Sequence, residues 1–241
     1  MKKYIVCLIL LILIMSMVSN IVFAENLLQS GIEKFQQQNY EEAIDTLIEF
    51  AVENEENHIA HYYLGLCYMR IKEYSSAINA FNFAREIKPK NYRILLNLGR
   101  SYYHTSNYEE AEETLKEARD QDERDEQVFN LLGLIYMNNN NHNDAVEYFL
   151  LAHAENPDNY YVLNNLGLNY INIGKYEEAV GYLEKATDKN PSEVYIYNNL
   201  GIAYENIGEL EKAAENYTKA LDLNPDYNRA KTNLNRIKNK L

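Results

Sequence analysis

The chain has 241 residues, with 36 acidic against 23 basic side chains, a formal net charge of −13 and two cysteines. So acidic a surface offers no cationic track for a phosphate backbone, which excludes nucleic acid as a partner. It also disfavours adhesion to anionic lipid, leaving membrane contact only to an uncleaved leader or to a partner.

Residues 1–24 come first and differ from everything after them. Met1-Lys2-Lys3 is a positive start, residues 4–18 are an apolar run, and Ser19-Asn20-Ile21-Val22-Phe23-Ala24 ends on small residues before Glu25. That order is a secretory signal peptide, with cleavage expected after Ala24. The rival is an uncleaved anchor, since residues 4–24 just reach the ~20 residues a spanning helix needs. Polar Ser16, Ser19 and Asn20 weigh against it. Cleavage takes Lys2, Lys3 and Cys7 away, so the remainder is more acidic still and keeps only Cys67. No internal disulfide is then available, and packing alone must hold the fold. The abundance of Asn, Ile, Lys and Tyr points to a bacterial source, hence to the periplasm or cell envelope.

From residue 24 the chain repeats. Gly31, Gly65, Gly99, Gly133, Gly167 and Gly201 lie 34 residues apart without a slip. Twelve residues after each stands an alanine: Ala43, Ala77, Ala111, Ala145, Ala179 and Ala213. Ala84, Ala118, Ala152, Ala186 and Ala220 form a third lattice, and all four prolines (Pro89, Pro157, Pro191, Pro225) share a further point. Periodicity within one unit reads as two amphipathic helices and a tight turn. In 160–191, Leu163, Leu166 and Tyr170 mark the first helix, Ile173-Gly174-Lys175 the turn, and Tyr176, Ala179, Val180, Leu183 and Ala186 the second. The lattice glycine is expected where two helix backbones approach too closely for a side chain. Six units follow, 24–57, 58–91, 92–125, 126–159, 160–193 and 194–227, then a polar capping helix over 228–241 with Ala230, Leu234 and Ile237 facing inward. Pro is scarce and no Ser/Gly-rich stretch occurs, so neither a linker nor a second domain is expected.

Leu-Gly-x-x-Tyr at Leu64-Gly65/Tyr68, Leu98-Gly99/Tyr102, Leu132-Gly133/Tyr136, Leu166-Gly167/Tyr170 and Leu200-Gly201/Tyr204, with the alanine and proline lattices, resembles the tetratricopeptide repeat family. The resemblance covers residues 24–227. It implies an all-α, right-handed superhelical solenoid whose first helices line an inner surface. Two departures stand out. The first unit has Ser30, Lys34 and Phe50 where the pattern wants Leu, Tyr and Ala, and the third ends in Glu123 rather than Pro.

The first-helix positions left over from the lattice carry the functional reading. Two before the glycine stand Asn97, Asn165 and Asn199, followed by Asn233 in the cap; one earlier stand Asn130, Asn164 and Asn198. An amide both donates and accepts, so such a row is able to pair with the backbone of an extended peptide. The family has asparagine ladders of this kind; the rival reading is a chain rich in asparagine everywhere. Leu66, Leu134, Leu168 and Ile202, one after each glycine, are either apolar steps for a ligand or packing between units. Arg93 and Arg100, with Arg70 and His104, form a candidate cationic spot for a carboxylate. The family's dicarboxylate clamp is not reproduced, because Tyr62 and Leu66 stand where it wants Lys and Asn.

No Gly-rich phosphate loop, nucleophile elbow or HExxH motif occurs, so neither an enzyme nor a cofactor is expected. His58 and His61 lack an evident third metal ligand, and Cys67 reads as a buried structural thiol. The expected function is a protein- or peptide-binding scaffold. Its alternatives are a self-associating structural protein and, on Tyr62, Tyr160, Tyr161 and Tyr195, a glycan-binding module.

Overall fold

The computed structural model describes residues 25–121 and 124–238. The leader expected over 1–24, the unit-closing Glu123 and the last three residues of the cap lie outside the described residues. Helix α1 (25–36) pairs in sequence with α2 (Tyr40–Glu53), and the later hairpins are α3 (His58–Arg70) with α4 (Tyr74–Ile87) and α5 (Tyr92–His104) with α6 (Tyr108–Arg119). Then come α7 (Glu126–Asn138) with α8 (His142–Glu155), α9 (Tyr160–Asn172) with α10 (Tyr176–Lys189), and α11 (Val194–Asn206) with α12 (Leu210–Leu223), before α13 (Asn228–Lys238). Every regular element among the described residues is a helix.

The helices divide after Gln121 into two compact units, α1–α6 and α7–α13. Within each, helices pack in chain order: α2 on α3, α3 on α4, α4 on α5 and α5 on α6 in the first, and α7 through α13 likewise in the second. First helices of adjacent hairpins also touch, α3 with α5, and α7 with α9, α9 with α11. This is the all-α stack of helix pairs that a solenoid requires.

The glycine lattice has a specific cause. A Cβ on Gly65 would come within 2.5 Å of the Phe81 ring, one on Gly99 within 2.7 Å of Leu115, and one on Gly133 within 2.6 Å of Phe149. The occupant is thus a large side chain sixteen residues on, from the second helix, rather than the approaching backbone that the sequence suggested. Phe81, Leu115 and Phe149 are fully buried, as are the lattice alanines beside them. The prolines follow the second helices by two residues, as Pro89 does Ile87, where the chain must turn.

The hairpin turns share one feature. Gln38, Lys72, Ser106, Asn140, Gly174 and Gly208 occupy equivalent positions, and all have positive φ, between 60° and 88°. Only the last two are glycine, the residue that reaches this region without a Cβ penalty. A second periodic feature escaped the sequence reading. Asn57, Asn91, Asp125 and Asn159, 34 residues apart, cap the first helices, Asn57 Oδ1 accepting from the backbone N–H of Ile59 and Ala60 at 3.0 and 3.1 Å.

In α13, Ala230 and Ile237 are buried and Leu234 packs against the same core. Arg236 donates to both oxygens of Glu205 on α11, at 3.1 and 2.6 Å, and the hydroxyl of buried Tyr217 donates to that carboxylate at 2.9 Å. An arginine fork on one helix and a phenol from another thus meet at one acceptor.

Two glycine substitutions separate space from propensity. Gly133→Ala is expected to destabilise by about 1–2 kcal/mol, because Phe149 cannot yield without overpacking. Gly181, in α10 with nothing within 4 Å of an added Cβ, is expected to gain about 1 kcal/mol as alanine. Denaturant unfolding of both variants checks the pair; equal signs would refute the packing account.

Candidate functional site

The asparagine row is a set of cross-repeat hydrogen bonds, each joining residues 35 positions apart. Asn165 Nδ2 donates to Asn130 Oδ1, Asn199 Nδ2 to Asn164 Oδ1, and Asn233 Nδ2 to Asn198 Oδ1, all at 3.0 Å. In the first unit Asn97 Nδ2 donates to the Tyr62 hydroxyl at 3.4 Å and to the Arg93 carbonyl at 2.8 Å. The two asparagine registers found in the sequence are therefore the two ends of each rung. Tyr62, which departs from the clamp pattern, is the acceptor of the first one.

This changes what the row offers a ligand. Asn97, Asn164 and Asn198 are buried, so they do not lie open on the first-helix face as the periodicity suggested. Asn130, Asn165 and Asn199 are half-buried. Each rung commits one amide atom per asparagine and leaves the other outside that bond, an N–H₂ on the accepting residue and a carbonyl on the donating one. Leu96 in the third repeat and Leu131 in the fourth stand at ladder positions with a side chain that has no amide.

Leu66, Leu134, Leu168 and Ile202 are all half-buried. Leu66 packs against the core containing Phe81, Leu134 against that of Phe149, and Ile202 against that of Tyr217. Each of these three thus gives part of its side chain to the repeat and part to solvent.

Two of the four cationic candidates, Arg93 and Arg100, act on one hydroxyl. Burial pushes the Tyr62 phenol up from its ordinary range, and the charges of Arg93 and Arg100 oppose that shift. Arg93 is exposed, and Arg100 Nη1 donates to Asn97 Oδ1 at 3.5 Å. His104 stacks on Tyr74 with ring centroids 4.5 Å apart. Burial, then Arg100, lowers its pKa, so at neutral pH it adds a ring and no charge. Arg70 is exposed at the end of α3.

Three of the four candidate tyrosines meet in the second unit. Tyr160 and Tyr161 stack with centroids 4.2 Å apart, and Tyr161 is exposed. Burial, with Glu193, Tyr160 and Tyr161 adding to it, raises Tyr195, whose buried hydroxyl has no acceptor among the described residues. Tyr62 stands in the first unit. Cys67 is fully buried, and burial pushes its thiol up to about 12, leaving it protonated and unreactive. Asn169, without a counterpart in the asparagine columns, is fully buried, and its Nδ2 donates to the His142 carbonyl at 2.7 Å while its Oδ1 meets His142 Nδ1 at 2.8 Å. Only the 27-residue offset, alien to the 34-residue lattice, distinguishes it.

Comparison with known proteins fits this architecture. In fold the chain is similar to YrrB, described as a TPR protein with an unusual peptide-binding site: 22% identity, 81% of this chain and 98% of that one, TM-score 0.64. It is similar to PilF of Pseudomonas aeruginosa at 20% identity over 90% of this chain and 97% of that one, TM-score 0.75. MamA shares 26% identity over 66% of this chain and 93% of its own length, TM-score 0.61. No curated protein matches in sequence. The family model described as the cilia and flagella-associated protein 70 C-terminal domain matches residues 16–236, and the chain belongs to that tetratricopeptide-repeat family.

Proposed function

We propose that this chain is a protein-binding scaffold, acting outside the cytoplasm in envelope assembly or complex organisation, that holds an extended segment of a partner on its first-helix face. One observation carries the reading. Cross-repeat bonds of 3.0 Å fix Asn130, Asn164, Asn165, Asn198 and Asn199 in register, while half-buried Leu134, Leu168 and Ile202 stand one turn further along the same helices. A peptide backbone supplies N–H and C=O groups at regular intervals, and its side chains need apolar seats between them. Amides already fixed by the fold lose little further entropy on binding. In the first unit Arg93 and Arg100 supply positive charge in an otherwise acidic chain, suited to a carboxylate of the bound segment. The export half of the proposal rests on residues 1–24 alone, and the family's fold supports a protein partner.

A glycan-binding reading draws on the exposed Tyr161 ring, yet Tyr160 already covers one of its faces. Self-association is the remaining alternative, and a concentration-dependent sedimentation shift of the full chain would favour it.

Capture from envelope extract, run beside a Leu134→Ser/Leu168→Ser/Ile202→Ser variant, is expected to retain a discrete protein that the variant loses. Retention of the same partner by both, with cooperative melting of the variant, would place binding elsewhere. Against a peptide ending in two acidic residues, Arg93→Ala/Arg100→Ala protein should bind about tenfold more weakly; unchanged affinity removes the carboxylate role. The rungs themselves are tested by stability. A double-mutant cycle of Asn130→Ala and Asn165→Ala should show a coupling of about 0.5–1.5 kcal/mol, and strict additivity would mean the bond is absent in solution.

A further inference from the structure

The repeat lattice supplies its own control for reading the opposite, second-helix face. In each unit a groove opens between the second helices of adjacent repeats. One is bounded by α2 and α4 and has a volume of about 740 Å³; the other, bounded by α10 and α12, lies four repeats on and measures about 660 Å³. Equivalent positions hold very different side chains. Glu184, Asp188 and Lys219 line the second groove, and Lys219 Nζ sits 5.1 Å from the Tyr197 ring centroid. That is an ordinary solvated surface with both signs of charge. At the matching positions of the first groove stand Ile48, Val52 and Phe83, with His61 stacked on Phe83 at 5.3 Å between centroids.

These apolar side chains are not core. Val52 is 70% exposed, Phe83 56% and Ile48 43%, although the same scaffold accepts charge at each position. A contiguous apolar patch of this kind on a water-facing surface marks an interaction site. Its charged rim points to one occupant. Glu55, Glu56 and Glu86 line the groove, no Lys or Arg does, and none of the three acids has an ion-pair partner among the described residues. A second copy of this chain brings a net charge of −13 to that rim, and anionic lipid brings phosphate; both are repelled.

We propose that the groove between α2 and α4 docks an amphipathic helix of a protein partner, with apolar residues on one face and lysine or arginine flanking them. Such a helix lays i, i+4 and i+7 anchors on Val52, Phe83 and Ile48 while its cations meet Glu55, Glu56 and Glu86. The site is separate from the first-helix face, so the scaffold holds two segments at once, an extended one and a helical one.

The test uses the full chain and a fluorescein-labelled helix of about 15 residues with Leu and Phe at i, i+4 and i+7 and lysines at both ends. Val52→Glu/Phe83→Glu is expected to weaken binding by at least about tenfold. Glu55→Gln/Glu56→Gln/Glu86→Gln, which leaves packing untouched, should also weaken it and flatten its salt dependence. Leu150→Glu/Leu151→Glu, on exposed α8 residues of the other unit, should change nothing. The proposal is overturned if all the variants bind alike, if the α8 control loses as much, or if a glutamate-flanked peptide binds equally. It is overturned equally if Val52→Glu/Phe83→Glu leaves peptide binding intact and abolishes instead self-association in sedimentation or pelleting with anionic vesicles.

Discussion

A missing Cβ is the constraint on which this architecture depends. At Gly65, Gly99 and Gly133 the space of one methyl group is filled by a phenyl or isobutyl group from the partner helix. Helix propensity alone argues against glycine there by about 1 kcal/mol per site. The buried Phe81, Leu115 and Phe149 return more than that, because burying such a side chain contributes about 1.5–3 kcal/mol. The lattice alanines lie beside the same contact, and together they fix how the two helices of a hairpin meet. Everything on the first-helix face inherits its register from that one contact.

The polar rungs add a second, weaker register between neighbouring hairpins. Packing of apolar surfaces is non-directional and tolerates sliding, whereas an amide-to-amide bond holds at one offset only. Three such bonds at 3.0 Å in the second unit, and Asn97 with Tyr62 in the first, tie helix to helix by direction as well as by contact. The same side chains keep one amide atom outside each rung, so the proposed recognition role falls on residues that already hold the structure. That coincidence explains why their spacing alone did not separate a scaffold role from a ligand role.

Much of the fold is legible because a 34-residue period is a strong signal: Gly31 to Gly201 and Ala43 to Ala213 define hairpins before any contact is known. What stayed hidden lies off that period. A rung spans 35 residues, so its two ends appear as separate columns, Asn130 with Asn164 and Asn198, Asn165 with Asn199 and Asn233. Asn169 pairs across 27 residues and leaves no periodic trace. The capping asparagines do follow the period, but in a chain so rich in asparagine they merge with composition. Exposure was the least legible property: nothing in the residue type shows that Asn164 is buried and Asn165 half-buried, or that Phe83 faces water while Phe81 is enclosed.

The turns carry a consequence for how the molecule opens. Gln38, Lys72, Ser106 and Asn140 hold a side chain in the left-handed region, while Gly174 and Gly208 close the last two hairpins without that strain. In a repeat array, stability is a sum of intrinsic repeat terms and nearest-neighbour terms. Small differences between turns therefore become differences in local unfolding free energy. The hairpins of residues 160–193 and 194–227 are in this respect the better nuclei, able to form early and to fray late. A chain built from near-identical parts thus acquires a direction in its dynamics from one backbone angle per repeat.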